Sequence, residues 1–154
     1  MDNQAGNLQK SILLEILEQN KFTSSFSFDQ INSENAEFRL NEKTASVGFI
    51  YRHIGETMNT FCRFLGVKTD VVNTTLAQTD SGEIYDVETS RKLVVQGYSS
   101  LDKLINETPD EDWFGTVDTP FFGTIKRIRL FAHILFHTSH HCGQISSAIV
   151  KGKK

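Results

Sequence analysis

Four of the five histidines in this chain fall in one short stretch, HILFHTSHH, residues 133–141. Imidazole titrates near neutral pH and binds divalent metals well, so such a cluster points to metal binding or acid–base chemistry. On a helix turning about 100° per residue, with His133 at zero, His137 falls near 40°, His140 near -20°, His141 near 80° and Gln144 near 20°. These residues share one face. On the same wheel Cys142 falls near 180°, with Phe131 and Leu135, and is not a candidate ligand.

His137 and His141 are four apart, on successive turns, which lets both rings converge on one ion. Two ligands from one helix make a weak site, so a third must come from elsewhere. The one remaining histidine, His53, lies between Ile50 and Ile54, beside an apolar stripe from which it can face the fourth helix. His140 competes with His141, because three-residue spacing also suits a metal. His133 and His140 are otherwise expected to contact substrate, to hydrogen-bond a ligand ring, or to face solvent. Gln144 is placed to bond a ligand ring or a bound water. Glu56, about one turn after His53, is expected as an exposed carboxylate, with a role behind His53 as the alternative.

Several elements must position these groups. Leu8, Ile12, Leu13, Ile16 and Leu17 predict a first helix capped by Asn7. From Asn20 to about Lys43 the pattern breaks into a long connection carrying Phe22, Phe26, Phe28, Ile31 and Phe38, part of which must fold onto the core. Val47, Ile50, Ile54, Met58, Phe61 and Leu65 mark a second helix, with Thr44 or Ser46 as cap and Gly66 as stop. A third starts at Asp86, buries Val87, Val94, Tyr98, Leu101 and Ile105, and ends before Pro109; Gly97 within it suggests a close approach. An ordered loop over 110–123 leads to a fourth helix, about Thr124 to Val150, expected to be the longest. With no convincing alternating strand, the fold class is all-α, a four-helix bundle in one domain over residues 1–154.

Composition narrows the function. A net charge of -3 and a pI near 5.9 give no footprint for nucleic acid, and the basic tail from Lys151 to Lys154 is expected to be a frayed, solubilising end. The start MDNQAGNLQK lacks the order of a signal peptide, and no apolar run spans a bilayer, so a soluble cytoplasmic protein is expected. Cys62 and Cys142 are then free thiols acting as small core hydrophobes.

The histidine midway along the second helix, in SVGFIYRHIGETMN, together with HxxxHxGQ in HTSHHCGQI, resembles the DinB/YfiT family of four-helix-bundle metalloenzymes. The resemblance covers nearly the whole chain. It implies His53, His137 and His141 as the metal ligands, selecting His141 over His140, with nickel or zinc as the metal. It also implies an up-down-down-up bundle, often a homodimer. Family activities include transferases and an isomerase that use low-molecular-weight thiols of the bacillithiol or mycothiol type.

Three neutral imidazoles with open positions beside them permit a bound water or thiol to ionise near neutral pH. Because imidazole must be neutral to bind, metal affinity is expected to fall as pH drops through about 6.5. No HExxH glutamate and no GxSxG nucleophile is present, which argues against peptidase chemistry. Two other classes stay open: a structural metal in a binding protein, and a metal-free bundle whose histidines form a surface.

Overall fold

Ser46 and Asp86 set the starts of two helices. The Ser46 hydroxyl accepts from the Phe49 amide at 3.2 Å and the Asp86 carboxylate from the Thr89 amide at 2.7 Å, each satisfying a donor that a helix N-terminus leaves open. The computed structural model describes residues 2–154, with side chains from Leu8 onward. Among these residues it has four helices: α1 (Asp2–Phe28), α2 (Val47–Phe64), α3 (Val87–Glu107) and α4 (Arg127–Lys151). α2 stops at Gly66, whose φ of 99° suits glycine, and α3 stops at Thr108, before Pro109.

Contacts between the helices fix their directions. From α2 to α3, Arg52 reaches Ser90, Gly55 abuts Leu93 and Met58 packs on Gly97, so the two run parallel. From α2 to α4, His53 meets His141 while Phe61 meets His133, so these run antiparallel. From α1, Asn20 reaches Leu135 and Ser27 reaches Cys142, which makes α1 and α4 parallel. The order is up-down-down-up, as expected. Parallel α2 and α3 cannot be joined by a short turn: α2 alone is about 27 Å long, so the segment 67–86 must travel back along the bundle.

The core is apolar, with Leu17, Tyr51, Ile54, Met58, Leu101, Trp113, Leu130 and Ile145 almost inaccessible. α1 differs from expectation. It continues to Phe28, and it already runs through Asn7, the expected cap, whose side chain lies outside the described residues. Its inward face is Leu13, Leu17, Asn20, Ser24, Ser27 and Phe28, spaced by threes and fours but largely polar beyond Leu17. Asn20 accepts from the Tyr98 hydroxyl at 2.7 Å and donates to the Leu135 carbonyl at 3.0 Å. Ser27 donates to the Cys142 carbonyl at 3.0 Å. These bonds offset the desolvation of Asn20 and Ser27. Leu8, Ile12, Ile16, Phe22 and Phe26 point outward instead. In the shorter connection that follows, Ile31 is buried and Phe38 packs against the core.

Three further expectations are corrected. α4 begins at Arg127 and is shorter than α1, with 25 residues against 27. Ahead of it stand a 3-10 turn at Asp110–Phe114 and an antiparallel hairpin, β1 (Thr116–Thr119) and β2 (Gly123–Lys126). The C-terminal lysines are not frayed: Lys153 exchanges two backbone hydrogen bonds with Arg39, and Lys154 pairs with Glu37 at 3.1 Å.

Gly97 does mark a close approach, since a Cβ there would collide with the Met58 side chain. Gly97→Val is therefore expected to destabilise the protein by about 2 kcal/mol or more, read as a lower urea midpoint; an unchanged midpoint would count against this α2–α3 packing.

Candidate metal centre

His53 sits midway along α2, and His137 and His141 lie on facing turns of antiparallel α4, so three rings meet between the two helices. His137 Nε2 is 3.1 Å from His53 Nε2 and 3.1 Å from His141 Nε2. The three candidate ligand atoms all lie within 4.8 Å of one another. Among the described residues this is the one such group of histidine, cysteine and carboxylate side chains. His140 is exposed and outside it; His133 packs instead against Phe122 and Phe61, with ring centroids 4.6 Å and 5.4 Å away. Cys142 is buried on the other side of α4, against Ser27.

Hydrogen bonds behind the rings set their tautomers. Glu56, expected at the surface, is 2% exposed. Its carboxylate accepts from the Thr74 amide at 2.7 Å, the Thr75 amide at 3.1 Å and the Thr75 hydroxyl at 2.9 Å. With its proton directed at Glu56, the Thr75 oxygen can only accept from His53 Nδ1, 3.2 Å away. His141 Nδ1 likewise donates to Gln144 Oε1 at 2.6 Å. Both rings therefore carry their proton on Nδ1 and turn a bare Nε2 lone pair toward His137. His137 can donate one proton from Nε2 and so satisfies one of them at most. Three nitrogens bonded to a zinc-sized ion at about 2.1 Å stand roughly 3.0–3.4 Å apart, and a shared cation satisfies all three lone pairs. The donor set fits a divalent metal.

Burial, then the field of His141, lowers the His53 pKa to about 4. Burial, followed by the neighbouring histidines, lowers that of His137 to about 3. His141 is also lowered, chiefly by burial, although its bond to Gln144 acts the other way. All three are neutral at pH 7, the form a metal requires, and the proton competition expected near pH 6.5 moves to more acidic solution.

Thr75 was not identifiable in the sequence. It lies in the irregular segment 67–86, where no periodicity marks it, and only the fold brings it behind His53. Glu56 carried a signal, its position three residues after His53, but nothing in its spacing revealed its burial.

Residues 20–145 match the family model of the DinB superfamily. No curated protein gives a match. Among solved structures, YfiT from Bacillus subtilis aligns with a TM-score of 0.67 over 90% of this chain and 84% of that one, at 14% sequence identity. It is described as a probable metal-dependent hydrolase with an unusual four-helix bundle topology. At that identity the likeness establishes a shared fold.

The lowered pKa values carry a stability prediction. In the unfolded chain histidine titrates near 6.5. Between that value and about 3 to 4 the unfolded state binds more protons than the folded one, so stability falls as pH falls. The melting temperature of chelator-treated protein should drop from pH 6.5 to 4, and more steeply than that of His137→Gln. Parallel curves for the two proteins would show that these histidines are not buried neutral.

Proposed function

The chain belongs to the DinB superfamily, and from that premise we propose that it is a metal-dependent enzyme whose His53, His137 and His141 hold one divalent ion, nickel or zinc. The observation that carries this reading is the convergence of three Nε2 atoms, two of them with lone pairs fixed inward from behind. Held there, the ion supplies Lewis acidity and lowers the pKa of a coordinated water or thiol. Glu56, acting through Thr75, holds the His53 ring, and Gln144 holds that of His141. Phe61, Phe122 and His133 pack against one another to form an aromatic side beside His137.

The reaction we favour is transfer of an electrophilic carbon group to a low-molecular-weight thiol. The S–H proton passes to solvent, an S–C bond forms, and the bond from carbon to the leaving group breaks, the leaving group departing with the electron pair. The thiol must come from solution, because the chain's own are sequestered: burial pushes the Cys62 thiol up to about 12 and also raises Cys142. Two free buried thiols also suit the reducing cytoplasm. No described helix is long and apolar enough to cross a membrane. Hydrolysis, with water in the place of the thiol, is the second reading, favoured by the description of YfiT.

We also propose a homodimer through α1. Leu8, Ile12, Ile16, Phe22 and Phe26 are all exposed and fall within one outward stripe about 120° wide. Phe22 and Phe26 stack edge to face at 5.1 Å while each stays 61% exposed, and exposed apolar stripes of this kind mark association surfaces. Phe26→Glu should convert a dimer to a monomer in light scattering; a wild type that is monomeric at high concentration would refute the interface.

Plasma mass spectrometry of protein made without a histidine tag tests the metal. About one nickel or zinc per chain is expected, lost in His137→Ala, with Glu56→Gln binding metal about 10–100-fold more weakly. Metal absent from the wild type, and not taken up on addition, would remove the enzyme reading. On loaded protein, turnover of monochlorobimane with low-molecular-weight thiols, against hydrolysis of p-nitrophenyl acetate, separates the two reactions.

A further inference from the structure

Four helical glycines have described surroundings, and three are explained by what lies against them. A Cβ at Gly48 would stand 3.1 Å from the Ala36 carbonyl oxygen, one at Gly55 2.7 Å from the Leu93 Cβ, and one at Gly97 would strike Met58. At Gly143 nothing lies within 4 Å. Nor is its φ positive. Glycine is a poor helix former, so its presence inside α4 has neither a steric nor a conformational cause within the chain.

Gly143 lines a cavity of about 410 Å³ between α4 and residues of the 40–50 segment, a volume suited to a small molecule. Leu40, Ala45 and Ile50 provide apolar wall, while Ser147 and Gln144 offer hydrogen bonds. No Asp, Glu, Lys or Arg lines it, and His140 is its one titratable side chain. The cavity adjoins the histidine cluster on both helices. Gln144, one of its walls, accepts from His141 Nδ1, and Ile50 lies about one turn before His53 on α2.

We propose that this cavity is the subsite for an uncharged, largely apolar portion of the ligand, with Gly143 admitting it to the level of the helix backbone. The inference rests on the metal-centred reading above, which places the ligand's donor group at the three histidines. The walls set the class. A carboxylate or phosphate entering here meets no Lys or Arg, only the imidazole of His140, whereas an alkyl chain or a neutral amide gains contact with the apolar wall.

Calorimetry on the zinc-loaded full chain tests this with three hydroxamates that share one metal-binding head: acetohydroxamate, hexanohydroxamate and the monohydroxamate of adipic acid. Hexanohydroxamate should bind about ten-fold more tightly than acetohydroxamate, and the carboxylate-ended probe should show no such gain. In Gly143→Leu, which fills the cavity, the ratio of hexano- to acetohydroxamate affinity should fall to about one; Ser147→Leu on the same wall serves if that variant does not fold. A ratio unchanged in the variants, or no gain in the wild type with zinc in place, overturns the subsite and leaves the metal centre standing. Failure to take up zinc overturns both.

Discussion

A carboxylate carried into a protein interior must be met by donors, and the way Glu56 meets this demand organises the centre of the bundle. Parallel α2 and α3 force the intervening segment to run back along the helices without regular structure of its own. Such a segment has many backbone groups to satisfy and little apolar surface with which to anchor itself. Glu56 captures it near its middle, through the amides of both Thr74 and Thr75 and their hydroxyls. The same contact that pins the crossing segment turns Thr75 into the acceptor for His53. Chain connectivity and the orientation of one imidazole are thus tied to the same buried side chain.

The two outer histidines of the cluster are held by different means. His53 is backed by a buried network that reaches the Glu56 side chain, with Thr57 also 3.4 Å from its Nδ1. His141 is backed by Gln144, a neighbour on its own helix with an exposed side chain. One ring is therefore fixed by tertiary structure and the other by local helix geometry. Between them His137 packs against Phe61, whose ring centroid is 6.4 Å away. The cluster has one rigid edge and one that solvent and ligands can reach.

Much of this was legible from spacing. α2 and α3 announced themselves through apolar steps of three and four and through Ser46 and Asp86, because their buried faces are apolar and their caps are ordinary. The shared face of His137, His141 and Gln144 followed from helix geometry alone, as did the opposite placement of Cys142. The second half of α1 was illegible because its pattern is inverted: Asn20, Ser24 and Ser27 point inward while Phe22 and Phe26 point outward. A hydrophobicity argument assumes that burial is apolar, and here hydrogen bonds from Asn20 and Ser27 to α3 and α4 replace it. The hairpin escaped because strands of four residues are too short for alternation to register. Glu56 and Thr75 are separated by a long polar stretch, and no local rule pairs them.

The parallel arrangement of α2 and α3 also has a consequence for how the chain folds. In an up-and-down bundle each helix can dock on the next as soon as a short turn closes, so early contacts are local. Here α2 cannot form a hairpin with α3, and its antiparallel partner α4 lies beyond α3 and the β-hairpin in sequence. The loops to be closed are long, their entropy is lost before any contact repays it, and contact order rises accordingly. The histidines meet across one of these long closures, between α2 and α4. Their convergence therefore depends on the docking of α4 against α2 and not on any local hairpin.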